Sequence, residues 1–437
     1  VYGVVGGKGY GRALALGGAT ATGAAVILAG TAIPTFYAVA AGTIVALVLR
    51  LLLRSRDPGA RHQPLAPGAL PLILLAVWAT IVTLLAPSLF NGIPVIAPNS
   101  KVGTLVDGTF TTSNLAQIIY LVLGVCVVLY LAGSGHTGPE LIGLAAGLTT
   151  VLSFWRFLSV TFGLPFPEGV FDNSPSFSFI ETAPGGIARF RGILSEPSGL
   201  AISSLVTVSY MLSRAVRVIG WRRWGAIVVA GMAGFLASIS TSGTFVIASV
   251  IVLSLAGLSF LVRFLLQRGT LKPIVVLVGC AAAIAALWVV PLIVAFVQVT
   301  INDKVASSSF DERSAADARS YSIVFETFGF GVGLGSHRPS SFAAGLLSTT
   351  GVIGTVLFAA AVVILIVRTW SLLEYRPVIW ALVALLVTKI IASPDLADTS
   401  GILWISLGIL AHGSLHRLTQ QTAVGFEAPH RLGAYAG

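Results

Sequence analysis

The sequence predicts an all-α polytopic membrane protein, a single integral domain over residues 1–437 with about 12 transmembrane helices. Three observations carry that prediction. Apolar types make up 56% of the 437 residues and charged types only 10%, against about 25% charged in an ordinary soluble protein. The mean hydropathy is +0.94, which over this length calls for lipid as the solvent. Twelve stretches approach the roughly 20 mostly apolar residues that a spanning helix needs. The alternating segments of a β-barrel are absent. These features exclude a soluble enzyme, a disordered chain and a nucleic-acid binder.

Taken in order, the apolar stretches lie near 12–30, 34–53, 69–87, 114–131, 140–159, 197–213, 224–240, 244–263, 273–297, 341–366, 377–391 and 401–414. The N-terminal VYGVVGGKGYGRAL lacks a signal-peptide cleavage pattern, so the first span is expected to be retained. Interior glycines and alanines suit helices that pack closely through small residues. Basic residues fix the sides. With both termini inside, the inner loops and the tail 415–437 hold 17 of the 26 Lys and Arg but 4 of the 16 Asp and Glu. Much of the basic excess is therefore a topology signal. Three sizeable loops then lie outside, at 88–113, 160–196 and 298–340, followed by the short SPDLADTS loop after Lys389. Work at the outer face is the expectation.

The outer loops carry an unusual set of cations. Arg189 and Arg191 precede Glu196–Pro197; Arg313 and Arg319 lie in SSSFDERSAADARSY; His337–Arg338 follow a glycine-rich run. Arg156 and Lys389 lie near outer span ends. Guanidinium forks suit phosphate oxygens, and arginines converging at a membrane mouth would suit a lipid diphosphate. The alternative is ordinary ion pairing with Glu181, Glu196, Asp311, Glu312 and Asp317, and one of Arg189 and Arg191 is expected to be structural. Glu196 before Pro197 is either a helix cap or a carboxylate that handles an acceptor hydroxyl. His337 is either a base or a loop histidine. The run Gly329–Ser336 is either a backbone anion nest or a device for close packing. Arg156 and Lys389 either snorkel to the headgroups or face a cavity. No metal-ligand spacing or cofactor motif is present.

In order and placement these segments resemble the bacterial polysaccharide polymerase and O-antigen ligase superfamily, the Wzy/WaaL-like proteins. RFRGILSEPSGLA resembles the polymerase pattern of an arginine, then Glu-Pro, then a new helix. SSSFDERSAADARSYSIVFETFGFGVGLGS resembles the family's arginine, amphipathic stretch and Gly-x-Gly-x-Gly-Ser, with Arg313 at the family's arginine. Gly351 and Gly354 in GVIGTVLF resemble its closing Gly-x-x-Gly. Ser340 and Ser341 stand where ligase members carry His-Asn, which fits a polymerase better. The resemblance implies a C-type-glycosyltransferase-like fold with outer loops capping the site, in the bacterial cytoplasmic membrane. It implies metal-independent, cofactor-free, inverting transfer of a polyprenyl-diphosphate-linked oligosaccharide onto another lipid-linked glycan, with a chain-length regulator as a further partner. Arg191 and Arg313 would stabilise the leaving diphosphate, with Arg189 and Arg338 as second choices. Glu196 or His337 would take the acceptor proton, and Arg319, Arg156 and Lys389 would contact substrate. A ligase with a different acceptor and a transporter or flippase are the rival readings.

Overall fold

The computed structural model describes residues 9–20, 23–28, 31–54, 64–97, 102–174, 179, 189–266 and 308–427. The fold is all-α apart from two small hairpins. Helix α1 (Tyr10–Ala19) leads into antiparallel β1 (Ala25–Leu28) and β2 (Thr31–Pro34). Then come α2 (Thr35–Arg54), α3 (Ala69–Leu89), the hairpin β3 (Pro94–Ile96) with β4 (Val102–Thr104), and α4 (Thr112–Ala132). Helices α5 (Glu140–Phe162), the single turn α6 (Glu168–Phe171), α7 (Pro197–Ala215), α8 (Trp221–Ile239) and α9 (Gly243–Leu266) follow. The chain closes with α10 (Ser308–Glu326), α11 (Phe342–Thr369), α12 (Arg376–Ala392) and α13 (Ile402–Glu427).

Among the described residues, seven helices are long and apolar enough to cross a membrane: α2, α3, α4, α5, α9, α11, and α12 with the turn before it. The expectation of about 12 spans is corrected on several counts. The stretch 12–30 is not one helix; α1 ends at Ala19 and the hairpin takes over. Ten residues rise about 15 Å, half a bilayer core. Helix α8 opens with Arg222 and Arg223, which shortens its apolar run. Helix α7 carries Ser198, Ser203, Ser204, Thr207, Ser209, Ser213 and Arg214, which leave it too polar to be counted as a span, and it buries Ser203, Ser204 and Thr207 inside the bundle. Helix α13 is buried from Gly401 to Ala411 and runs on to Glu427, past the expected end at 414. The stretch 273–297 lies outside the described residues.

The core is built by close approach rather than by bulk. Trp404 of α13 is fully buried, and a Cβ on Gly124 of α4 would lie 2.4 Å from its indole. Only a residue without a side chain lets the two helices meet there. At one end of the bundle, Arg50 lies 4.4 Å over the Tyr130 ring, Arg417 donates to the Arg368 carbonyl, and Arg376 to that of Trp370. The other end carries the hairpins, α6, α10 and the 393–400 loop. Among the described residues, Arg50, Arg368, Arg376 and Arg417, assigned to one side by charge, thus share one end.

One spanning helix is broken. Gly351 in α11 has φ 70° and ψ −173°, a left-handed geometry open to glycine. The break frees carbonyls that lipid cannot satisfy. The glycine-rich run supplies the donors: Val332 N–H bonds Ser348 O at 2.8 Å and Gly333 N–H bonds Thr349 O at 3.0 Å. Trp78 Nε1–H takes Thr350 O at 2.8 Å, while Val352 N–H returns to Gly329 O at 2.8 Å. Gly329, Gly331, Gly333 and Gly335 all have positive φ. The amides of Gly331 and Leu334 are held by the Thr327 and Thr83 hydroxyls. The run is therefore a packing device, and those amides are not offered to an anion.

Candidate functional site

The second loop is anchored by a buried ion cluster. Arg156, near the end of α5, donates to Asp172 Oδ1 at 3.0 Å and Oδ2 at 2.9 Å. Arg191 grips the same two oxygens at 3.0 and 2.7 Å and also donates to Leu194 O at 2.8 Å. Both arginines are about 95% buried, at 5% and 3% exposed. Burial alone would push the Asp172 carboxyl up; hydrogen bonds and charge from Arg191, then Arg156, outweigh it and hold the pKa below the usual range. Asn173 next door exchanges hydrogen bonds with both backbone groups of Ala25, so the cluster also pins the first hairpin. Arg191, expected at the leaving diphosphate, and Arg156, expected at the substrate, thus both hold Asp172 here.

Arg189 behaves differently. Its Nε donates to Ser240 O at 3.4 Å and Thr241 Oγ1 at 3.2 Å, where α8 turns into α9. Among the described residues its two terminal nitrogens have no hydrogen-bond partner, and the side chain is half-buried. Its pKa is lowered by burial first, then by the charge of Arg313, with Glu196 acting in the opposite sense. Arg313, exposed on α10, therefore lies within electrostatic reach of Arg189, from the third loop to the second. Glu196 is exposed, makes no cap hydrogen bond to α7 and accepts from Ser198 Oγ at 3.0 Å. The capping alternative for its side chain is set aside.

Other expected site residues are engaged in building the roof. Arg319 holds Glu326 bidentately at 2.6 and 2.7 Å and reaches Pro94 O at 2.9 Å, clamping α10 to the second hairpin. His337 is 4% exposed. Its Nδ1 accepts from Ile96 N–H at 3.0 Å, which assigns the proton to Nε2, 2.8 Å from Ser320 Oγ. Burial first, then the Arg319 charge, lower its pKa to about 4, against the opposing pull of Asp317. Both ring nitrogens of His337, the expected base, are thus engaged within the protein. Arg338 is exposed and its N–H bonds Ile96 O at 2.8 Å. Lys389, 3% exposed, is 3.7 Å from Asp398, so it pairs rather than snorkels. Asp317 accepts from the amides of Ser340 and Ser341, which seats α10 on the start of α11.

Sequence reasoning missed Asp172, Asp398 and Asp395. A signal existed for the first two: a cation near a span end needs a partner, and these acids lie in the loops that follow Arg156 and Lys389. Glu181 and residues 298–307 of the third loop lie outside the described residues. Among the described residues no group of His, Cys, Asp and Glu could hold a metal.

No family model matches the chain, and no curated protein matches it either.

Proposed function

We propose that this membrane protein is a glycosyltransferase that takes an oligosaccharide from a polyprenyl diphosphate and adds it to another lipid-linked glycan outside the cytoplasmic leaflet. The observation that supports the reading is that the charge of Arg313, on the helix of the third loop, is felt at Arg189 of the second loop, with Glu196 acting on Arg189 in the opposite sense. Like charges within reach of each other repel until an anion arrives. A diphosphate bears the charge and the oxygens that guanidinium forks grip.

The chemistry follows from where charge develops. An acceptor hydroxyl attacks the anomeric carbon in line, and the bond to the diphosphate oxygen breaks with inversion. Negative charge grows on that leaving oxygen, and Arg189 and Arg313 stabilise it there. Glu196, beside Arg189, orients the sugar end of the donor. The donor arrives activated, so no nucleotide takes part.

Purified protein in lipid nanodiscs with a lipid-linked repeat unit tests this. Arg189→Ala and Arg313→Ala are each expected to cut polymer formation by about 100-fold or more while the protein stays folded. Unchanged ladders in both variants would sink the reading. A single capped product in place of a ladder would indicate a ligase, and solute movement without elongation a transporter.

A further inference from the structure

The roof and the 393–400 loop line an open cavity of about 200 Å³, at which Arg338 and Asp395 are exposed. Its lining includes Ser113 and Gln117 from the start of α4, His337 and Arg338 from the roof, and Asp395. Asp395 also lines a neighbouring cavity of about 120 Å³, beside Gly199 of α7 and the Lys389–Asp398 pair. It therefore stands between the roof and the helix that Glu196 leads into.

The polar side chains here are unspent. Among the described residues, the Ser113 hydroxyl, the Gln117 amide and the Asp395 carboxylate have no hydrogen-bond partner, whereas their neighbours Asn114, His337 and Asp398 are fully engaged. Two segments, the start of α4 and the 393–400 loop, thus present one hydroxyl, one amide and one carboxylate to one small space. Such a set reads neutral hydroxyl groups, each with a donor and an acceptor. The volume falls below that of drug-sized pockets and suits a single sugar ring. The lining is too weakly cationic to hold a second diphosphate, since Asp395 opposes Arg338.

We infer that this cavity is the acceptor subsite, which takes the terminal sugar of the acceptor glycan, and that Asp395 accepts the proton of the attacking hydroxyl. The inference rests on the transferase reading above. In the step, the acceptor O–H bond yields its proton to the Asp395 carboxylate, and that oxygen forms the new bond to the anomeric carbon. The diphosphate leaves with the electron pair of the broken C–O bond. Glu196 is less suited, because it already accepts from Ser198 and faces the arginine that holds the donor.

Full-length protein in nanodiscs allows two readouts. One is binding of polyprenyl diphosphate; the other is saturation-transfer NMR with methyl glycosides of common hexoses and N-acetylhexosamines, alongside transfer from the lipid-linked repeat unit. The wild type is expected to bind both probes. Asp395→Asn should keep diphosphate binding and lose about 100-fold or more in transfer, the scale of a general base. Asp395→Glu should recover part of the rate. Gln117→Ala should weaken sugar contact and lower transfer at limiting acceptor. Asp395→Asn transferring at the wild-type rate, or wild-type protein that binds diphosphate but shows no contact with any glycoside, overturns the inference and leaves the transferase reading standing. Failure of the wild type to bind diphosphate overturns both.

Discussion

Arg189 and Arg191 lie two positions apart, yet one faces an open mouth and the other is sealed. The partner decides it. Asp172 balances one guanidinium of the buried pair Arg156–Arg191, and removing the carboxylate leaves two buried like charges. Asp172→Asn is therefore expected to cost about 3–5 kcal/mol, more than Arg191→Ala, which leaves Arg156 still paired; detergent thermal unfolding orders the two. A stable but inactive Arg191→Ala would restore that arginine to the chemistry. His337 predicts a pH dependence. Its folded pKa of about 4 lies below the unfolded value near 6.5, so the unfolded chain binds more protons between them. Stability is full above the unfolded value and falls as pH drops through that window, by roughly 3 kcal/mol in total. The folded Asp172 pKa is depressed, so its contribution is lost only at still lower pH. A His337→Asn variant with the same slope between pH 6.5 and 4 would refute the assignment. That one of Arg189 and Arg191 is structural, and that Arg156 needs an acid, was legible in the chain; which of the two arginines reaches Asp172 was not, because residue type does not fix where a loop side chain turns.

At the scale of elements, the glycine-rich run and the broken α11 form one unit. A Cβ on Gly333 would lie 2.6 Å from Thr83 Cα, and one on Gly351 would meet the Gly329 and Phe330 carbonyls. Gly351→Ala is expected to destabilise by about 1–3 kcal/mol, read as reduced thermal stability and loss of the ordered roof in hydrogen exchange. Gly124→Val should do as much by forcing the Trp404 indole aside. Equal stability of both variants would show that the contacts are soft. The glycine spacing was visible in the sequence, but its purpose depended on carbonyls freed at Gly351, about twenty residues further on. The helices at 69–87, 114–131 and 140–159 were legible because each faces lipid along its length. The polar α7 and the short α1 were misjudged because hydropathy counts residues without knowing which face meets lipid and which meets protein.

For the whole molecule, the charge pattern was the readable part. Arginines counted as inner gather at one end, and the residues of the proposed site at the other. A single cysteine at Arg222 and one at Asp395, each in a background without Cys126 and Cys280, are expected to react with impermeant thiol reagents from opposite sides of the membrane. Labelling of both from one side would end the topology. The roof itself has a mechanical meaning. Swinging it away would strip partners from the Val332, Gly333, Leu334 and Val352 amides together, each worth about 1 kcal/mol or more when left bare. A hinge at that cover is too expensive to open in routine cycling. Under the transferase reading proposed above, a growing glycan would therefore thread past a fixed ceiling rather than pass under a lifting lid.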